Sequence, residues 1–352
     1  MKISDFTEKS FIKNVLCDYA ITANNKNFDD CIIIDLKDFT NDENSPYLVY
    51  SIDHPSFIKR PDMSQKQNYE FYGRWAAACT CGDVLAMGAK VKGFSMDLSM
   101  PLSEDSENIK MIYHGIQQTL KKYSASFEGG NIDINNLETV CMAWGIVDRD
   151  AIIKRTGANE GDYIFITGTL GIGWSNQLAK KLNISYDNSY KKYPIAPINA
   201  MEKVFEKKII TSGMDLTDGV IEFLYTIVER NGLGVTIDLD SIIPTRLQCD
   251  IAKKLDIDPR LMIFEPGYDT PITHGWTVPK ENINFVKKTF DNLKVPYMCI
   301  GRVTSTSEVI IKNKKKFVHI PFFCDDQFQK NQLYGNWLDI IRNIQKEMII
   351  NE

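Results

Sequence analysis

From Tyr69 to Ala89 the chain is rich in alanine and other small residues, with Phe71, Trp75, Ala78, Cys79, Gly82 and Leu85 recurring near helical spacing. A helix of this composition has little bulk to hold it away from a neighbour, so the pattern predicts close packing of a helix on a sheet. Asp83 falls inside it. A carboxylate in a packed helix is costly unless it is paired or bound to a metal. The flanking segments supply the sheet. Cys31 to Leu36 and Tyr47 to Ile52 read as two antiparallel strands around the turn-like 41–46 segment. Val91 to Leu98 reads as a third strand. Ser106 to Tyr123 is an amphipathic helix with Ile109, Ile112, Ile116 and Leu120 on one face, and Thr139 to Val147 a final strand. The order ββαβαβ describes one α/β (α+β) layer structure.

Charges and glycines cluster between Arg149 and Gly161, which sets an expected boundary between an N-terminal domain over 1–149 and a C-terminal α/β domain over 150–352. In the second half, Tyr163 to Thr167, Leu233 to Leu239, Thr277 to Pro279 and Met298 to Val303 read as strands. Helices are expected after Gly173, from Asp218-Gly219 to about Arg230, and from Asn282 to Leu293, with a tyrosine-rich loop over 183–197. A length of 352 residues favours two cores over one. The formal charge of −5 and the absence of a basic stripe with interleaved aromatics argue against a nucleic-acid partner. Lys312 and Lys314 to Lys316 read as a solvated turn between strands. No apolar run has the length of a membrane span, and the first residues lack a signal-peptide core, so a cytoplasmic protein is expected. Eight cysteines contain no C-x-x-C pair, and the four histidines are far apart, which fits free thiols in a reducing compartment better than a zinc site.

The chemistry rests on aspartates placed beside strand and helix ends: Asp29 and Asp30, Asp53, Asp83 and Asp218. Hard cations such as Mg²⁺ take oxygen ligands of this kind and commonly share them with substrate phosphates. Taken singly, each aspartate reads first as a cap or turn residue, Asp83 least so, and Asp218 could cap the helix that follows it. Gly168 to Gly173 resembles a phosphate-cradling turn but reads as well as a simple tight turn. Gly129-Gly130 is a second flexible backbone site where a ligand could approach closely. Arg155 suits a phosphate contact or the surface.

The order of these motifs resembles the thiamine-monophosphate kinase family, within a superfamily that also holds aminoimidazole ribonucleotide synthetase, selenophosphate synthetase and a hydrogenase-maturation dehydratase. Asp29-Asp30-Cys31 is similar to the family's Gly-Asp-Asp-Ala/Cys, Ser51-Ile52-Asp53 to Ser-Thr-Asp, and Gly82 to Ala89 to Ser-Asp-Leu-Ala-Ala-Met-Gly-Ala. Leu98 to Pro101, Arg155 to Ala158, Thr167 to Gly171 and Asp215 to Gly219 follow in the family's order, and the collinearity runs from about Asp29 to Val303. The resemblance implies a two-domain aminoimidazole ribonucleotide synthetase-like architecture, a homodimer through the N-terminal domains, and ATP held with Mg²⁺. It implies metal ligands at Asp29, Asp30, Asp53, Asp83 and Asp218, with Asp83, Asp218 and Asn131 at the reacting phosphates. Gly129, Gly130, Arg155 and Thr217 become nucleotide contacts. The implied reaction is direct transfer of the ATP γ-phosphate to a small-molecule acceptor, thiamine monophosphate being the nearest named candidate.

Departures fall on functional motifs. The family's Gly-Gly-Asp-Thr is Gly129-Gly130-Asn131-Ile132, which loses a charge that Asp133 could restore only from a different position. The family's Gly-Gly-Glu-Asp-Tyr-Glu-Leu is reduced to Pro266 to Ile272. Two further readings therefore stand beside the kinase: ATP-dependent activation of a different acceptor, and nucleotide binding without turnover.

Overall fold

Two sheets, each with its own helices, make up the computed structural model, which describes residues 8–11, 29–60, 63–185, 196–266, 273–323 and 333–349. Contacts divide the chain into two units. A first unit comprises Asp29–Lys154 with Asp187–Lys208, and a second comprises Met1–Phe28, Arg155–Tyr186 and Ile209–Glu352.

In the first unit, strands β1 (Ile32–Asp35), β2 (Tyr47–Asp53), β3 (Lys90–Met100), β4 (Ser126–Ile134) and β5 (Glu138–Val147) form a sheet of order β1-β2-β5-β3-β4. All neighbours are antiparallel except β3 and β4, which run parallel. Helix α1 (Gln65–Ala86) starts at a capping box: Ser64 accepts from the Gln67 N–H while the Gln67 side chain accepts from the Ser64 N–H. Helix α2 (Ser106–Tyr123) starts at Asp105, whose carboxylate caps Glu107. The small residues of α1 do more than fit it to the sheet. A Cβ on Gly73 would stand 1.9 Å from the Ile112 carbonyl oxygen, and one on Gly115 2.1 Å from that of Glu70, so the two glycines let the α1 and α2 backbones touch. Alternate residues Val49 and Ser51, Cys141 and Ala143, and Phe94, Met96 and Leu98 are buried.

Strand β4 is an addition to the ββαβαβ order read from the sequence. It lies at the sheet edge, two of its nine residues are glycines, and almost none of it is buried. It therefore carries no apolar alternation to announce it. The bidentate pairing of Arg149 with Asp35 ties the end of β1 back to the chain after β5.

The second unit has strands β6 (Tyr163–Thr167), β7 (Ser212–Asp215), β8 (Gly234–Asp238), β9 (His274–Val278), β10 (Tyr297–Thr304), β11 (Val309–Asn313) and β12 (Lys316–His319) in the order β12-β11-β8-β10-β6-β9-β7. Strands β7, β11 and β12 join those expected. The lysine-rich turn is the two-residue link of the β11–β12 hairpin, with Lys314 at φ 54°. Helices α3 (Ile172–Lys181), α5 (Val220–Asn231), α6 (Arg246–Leu255) and α8 (Leu333–Ile349) contribute Trp174, Phe223, Ile251 and Trp337 to the larger core. Alternation along β6 sends Ile164 and Ile166 to that core and Phe165 to the other face. There Phe165 stacks on Trp276 and Tyr297 and meets Phe290 of α7 (Ile283–Asn292) edge-on at 5.2 Å. Helix α4 (Ile198–Phe205) clusters with the first unit, where Lys208 pairs with Asp150 and Asp148. Most of the tyrosine-rich loop lies outside the described residues.

Candidate phosphate and metal site

Side chains alternate along β2, so Val49, Ser51 and Asp53 share the face that packs on the helices. The Ser51 hydroxyl donates to Asp83 Oδ2 at 2.5 Å. That contact answers the cost of a carboxylate within α1: Asp83 is only half-buried and receives a short hydrogen bond to the charged group. Asp53, also half-buried, accepts the N–H of His54 on Oδ1 at 2.7 Å. Strand β1 runs antiparallel to β2, with Ile32 opposite Tyr50. Asp29 and Asp30, which immediately precede β1, therefore lie at the sheet end where Asp53 emerges. Three of the five expected metal ligands, Asp29, Asp30 and Asp53, lie at that sheet end, and Asp83 of α1 reaches Ser51, two residues before Asp53.

The same level can be followed across the sheet. Asp53 is opposite Cys141, Cys141 opposite Met96, and Met96 opposite Gly130. One row further, Asp97 lies between Val140 and Asn131. Gly130 is required by packing, since a Cβ there would stand 1.8 Å from the Met96 carbonyl oxygen. Gly129, at the register shift of β4, has φ +132° and no atom within 4 Å of where a Cβ would go. It offers bare backbone to an approaching anion. Asn131 and Asp133 are exposed, and Asp133 Oδ1 accepts the Ile134 N–H at 2.7 Å.

Beneath the row, burial pushes the Cys141 thiol up to about 12 and the Cys81 thiol further still. Both stay protonated and act as packing groups. Among the described residues, no three Asp, Glu, His or Cys side chains converge closely enough to hold a metal alone. An all-oxygen set with an incomplete protein cage suits Mg²⁺, which usually takes one or two carboxylates and fills its remaining positions with water and phosphate oxygens.

The remaining candidates, Asp218, Thr217 and Arg155, belong to the second unit. Asp218 is exposed in the turn between β7 and α5. It does not cap α5: the N-cap is Gly219, and no side chain makes a capping hydrogen bond. The Thr217 hydroxyl donates to buried Asp215 at 2.6 Å, and this shapes the turn that presents Asp218. Arg155 opens a loop clasped by Asn231, which donates to the Arg155 carbonyl and accepts from the Gly157 and Ala158 N–H groups. The Gly168 to Gly173 segment behaves as a tight turn: a Cβ on Gly171 would meet the Gln248 amide at 2.5 Å, and Gln248 donates to the Leu170 carbonyl. Of the altered 266–272 motif, residues 267–272 lie outside the described residues.

Sequence reasoning missed Asp97. Its Oδ1 is buried without a hydrogen-bond partner among the described residues, in register with Asn131. A carboxylate in the middle of a strand was the available signal.

Comparison with known proteins bears on this arrangement. Residues 28–147 match the family described as AIR synthase related protein, N-terminal domain. The thiamine-monophosphate kinase of Buchnera aphidicola subsp. Acyrthosiphon pisum is 27% identical over 259 residues, covering 71% of this chain and 78% of that one. A putative hydrogenase expression/formation protein of Methanocaldococcus jannaschii is 30% identical over 197 residues, 53% of this chain and 58% of its own length. The solved structure of AaThiL complexed with AMPPCP and TMP superposes with a TM-score of 0.70 at 19% identity, covering 90% of this chain and 98% of that one. That last likeness concerns the fold.

Proposed function

We propose that this chain, a divergent relative of the thiamine-monophosphate kinases in the AIR synthase-like superfamily, is an ATP- and Mg²⁺-dependent phosphotransferase acting on a small phosphorylated acceptor. The observation that carries the reading is the placement of Asp29, Asp30 and Asp53 at one sheet end, with Asp83 hydrogen-bonded to Ser51 beside them and Gly130 in the same row as Asp53. Mg²⁺ bound by such carboxylates neutralises charge on the phosphate oxygens during transfer. The protein's own part is positional. Ser51 fixes one carboxylate oxygen of Asp83, so that side chain is oriented before a ligand arrives. Gly129 leaves backbone accessible to a phosphate, and the Asp215–Thr217 hydrogen bond holds the turn on which Asp218 is exposed. A terminal phosphate on the acceptor is already ionised near neutral pH, so one of its oxygens can attack the γ-phosphorus directly, without a strong general base. The bond from the γ-phosphorus to the bridging oxygen breaks as ADP leaves.

Thiamine monophosphate is the acceptor we infer, from the names of the relatives. A second reading, activation of a different acceptor, is favoured by the 30% identity to a hydrogenase expression/formation protein and by Asn131. A homodimer through the first unit also belongs to this reading. Ile32, Ile52, Val140 and Met142 are 41%, 60%, 42% and 37% exposed on adjacent strands of the sheet face opposite the helices, an apolar surface of the kind proteins normally cover.

The deciding experiment follows ATP consumption with Mg²⁺, with and without thiamine monophosphate, reading thiamine diphosphate directly. Acceptor-dependent product is expected. ATP binding without product would exclude thiamine monophosphate and favour the second reading.

A further inference from the structure

The face of the seven-stranded sheet that carries Phe165 is only partly covered. Helix α7 packs over β6 and β9 through Phe290. Beside it, over β6, β10, β8 and β11, lies a cleft of about 470 Å³, within the size range of small-molecule sites.

Three cations line this cleft and come from three different elements: Lys287 of α7, Arg302 of β10 and Lys312 of β11. One carboxylate, Asp238, lines it with them, and Asp238 already accepts the Asp240 N–H at 3.2 Å. Register keeps the polar groups near one another. Arg302 is opposite Tyr163 on one side and Thr236 on the other, and Lys312 is opposite Asp238. The Arg302 guanidinium lies 4.5 Å over the Tyr163 ring and donates one N–H to its hydroxyl at 2.5 Å. The stacking holds the guanidinium in place while leaving most of its donors available. Among the described residues, neither Lys287 nor Lys312 enters an ion pair.

Clustered like charges in a concave surface raise the local potential and favour an anion. Donors arriving from three elements suit a tetrahedral dianion better than a planar carboxylate, which pairs with two parallel donors of one fork. We propose that this cleft is a binding site for a phosphate monoester, a small phosphorylated metabolite held by Lys287, Arg302 and Lys312. None of the residues proposed for Mg²⁺ and ATP lines it, so the inference does not depend on that reading.

Cys299 lines the same cleft and is half-buried, which makes its thiol a reporter. The test is peptide-resolved alkylation of the full chain with inorganic phosphate, acetate or chloride at equal ionic strength, without Mg²⁺ or nucleotide. Phosphate is expected to slow labelling of Cys299 about fivefold or more, with exposed Cys249 unchanged as the internal control. Acetate and chloride should protect weakly or not at all. Lys287→Gln with Lys312→Gln should remove the protection at an unchanged melting temperature. Should that pair not fold, Lys312→Gln alone, near the β11–β12 hairpin, should weaken the protection at least twofold. The site is overturned if phosphate gives no protection, if chloride protects equally, or if protection survives the substitutions. Acetate matching phosphate would overturn the assignment to a phosphate monoester.

Discussion

At the scale of single residues, the metal-site reading makes its sharpest demands on Asp83 and Asp218. An asparagine at position 83 can still accept from Ser51, so Asp83→Asn should keep the fold and lose charge. Asp218 is exposed and caps no helix, so Asp218→Asn should be equally mild for stability. Each is expected to weaken Mg²⁺-dependent ATP binding about tenfold or more by calorimetry, while the melting temperature without ligand stays near that of the parent. Parent-like binding in both would remove them from the metal site. Asn131→Asp probes the converse. It restores a charge at an exposed position in register with Asp97, and should lower the Mg²⁺ concentration needed for half-maximal turnover about threefold. An unchanged Mg²⁺ dependence would mean that position 131 plays no part in metal binding.

At the scale of elements, α1 and α2 depend on backbone contact at Gly73 and Gly115. With carbonyl oxygens 1.9 and 2.1 Å from the added Cβ, the helices must separate to admit even a methyl group. Gly73→Ala or Gly115→Ala should each destabilise the protein by about 1–3 kcal/mol, read as a lower urea midpoint. A change within error would show that the helices slide apart freely. Strand β1 has a different anchor. The hydrogen bonds from Arg149 hold the Asp35 carboxyl below its ordinary value of 3.8. Asp35 binds its proton more readily in the unfolded chain, so its contribution is fully present above that ordinary value. It is lost as pH falls through the lowered native value. Amide exchange in β1 should therefore accelerate below about pH 4 relative to the other strands, and Asp35→Asn should abolish that difference. Helices α2, α5 and α7 and strand β6 were legible in advance because their apolar periodicity is strong, whereas helices α4, α6 and α8 and the short buried strand β7 were not read. Ser106–Tyr123 and Tyr163–Thr167 have the limits read from the sequence. Strand β4 was not legible: an exposed, glycine-containing edge strand takes its conformation from pairing with β3, and its own residues do not encode it.

At the scale of the whole molecule, the exposed apolar face of the five-stranded sheet predicts an assembly larger than the 40.2 kDa chain. Light scattering should give about twice that mass, and Ile52→Glu with Met142→Glu should return it to one chain while the far-ultraviolet spectrum is kept. A parent that elutes at one chain mass would rule the pairing out. The sequence by itself determined the α/β class, the short motifs that hold the aspartates and the resemblance that orders them, because each is written in local composition, periodicity or a short contiguous motif. Only the tertiary structure decided that Ser51 satisfies Asp83, that Gly130 stands level with Asp53, that Asp97 neighbours Asn131, and that Lys287, Arg302 and Lys312 share one cleft. Those relations join residues tens of positions apart. They depend on strand register and helix seating, which follow from how the cores pack as a whole, and no single segment carries them.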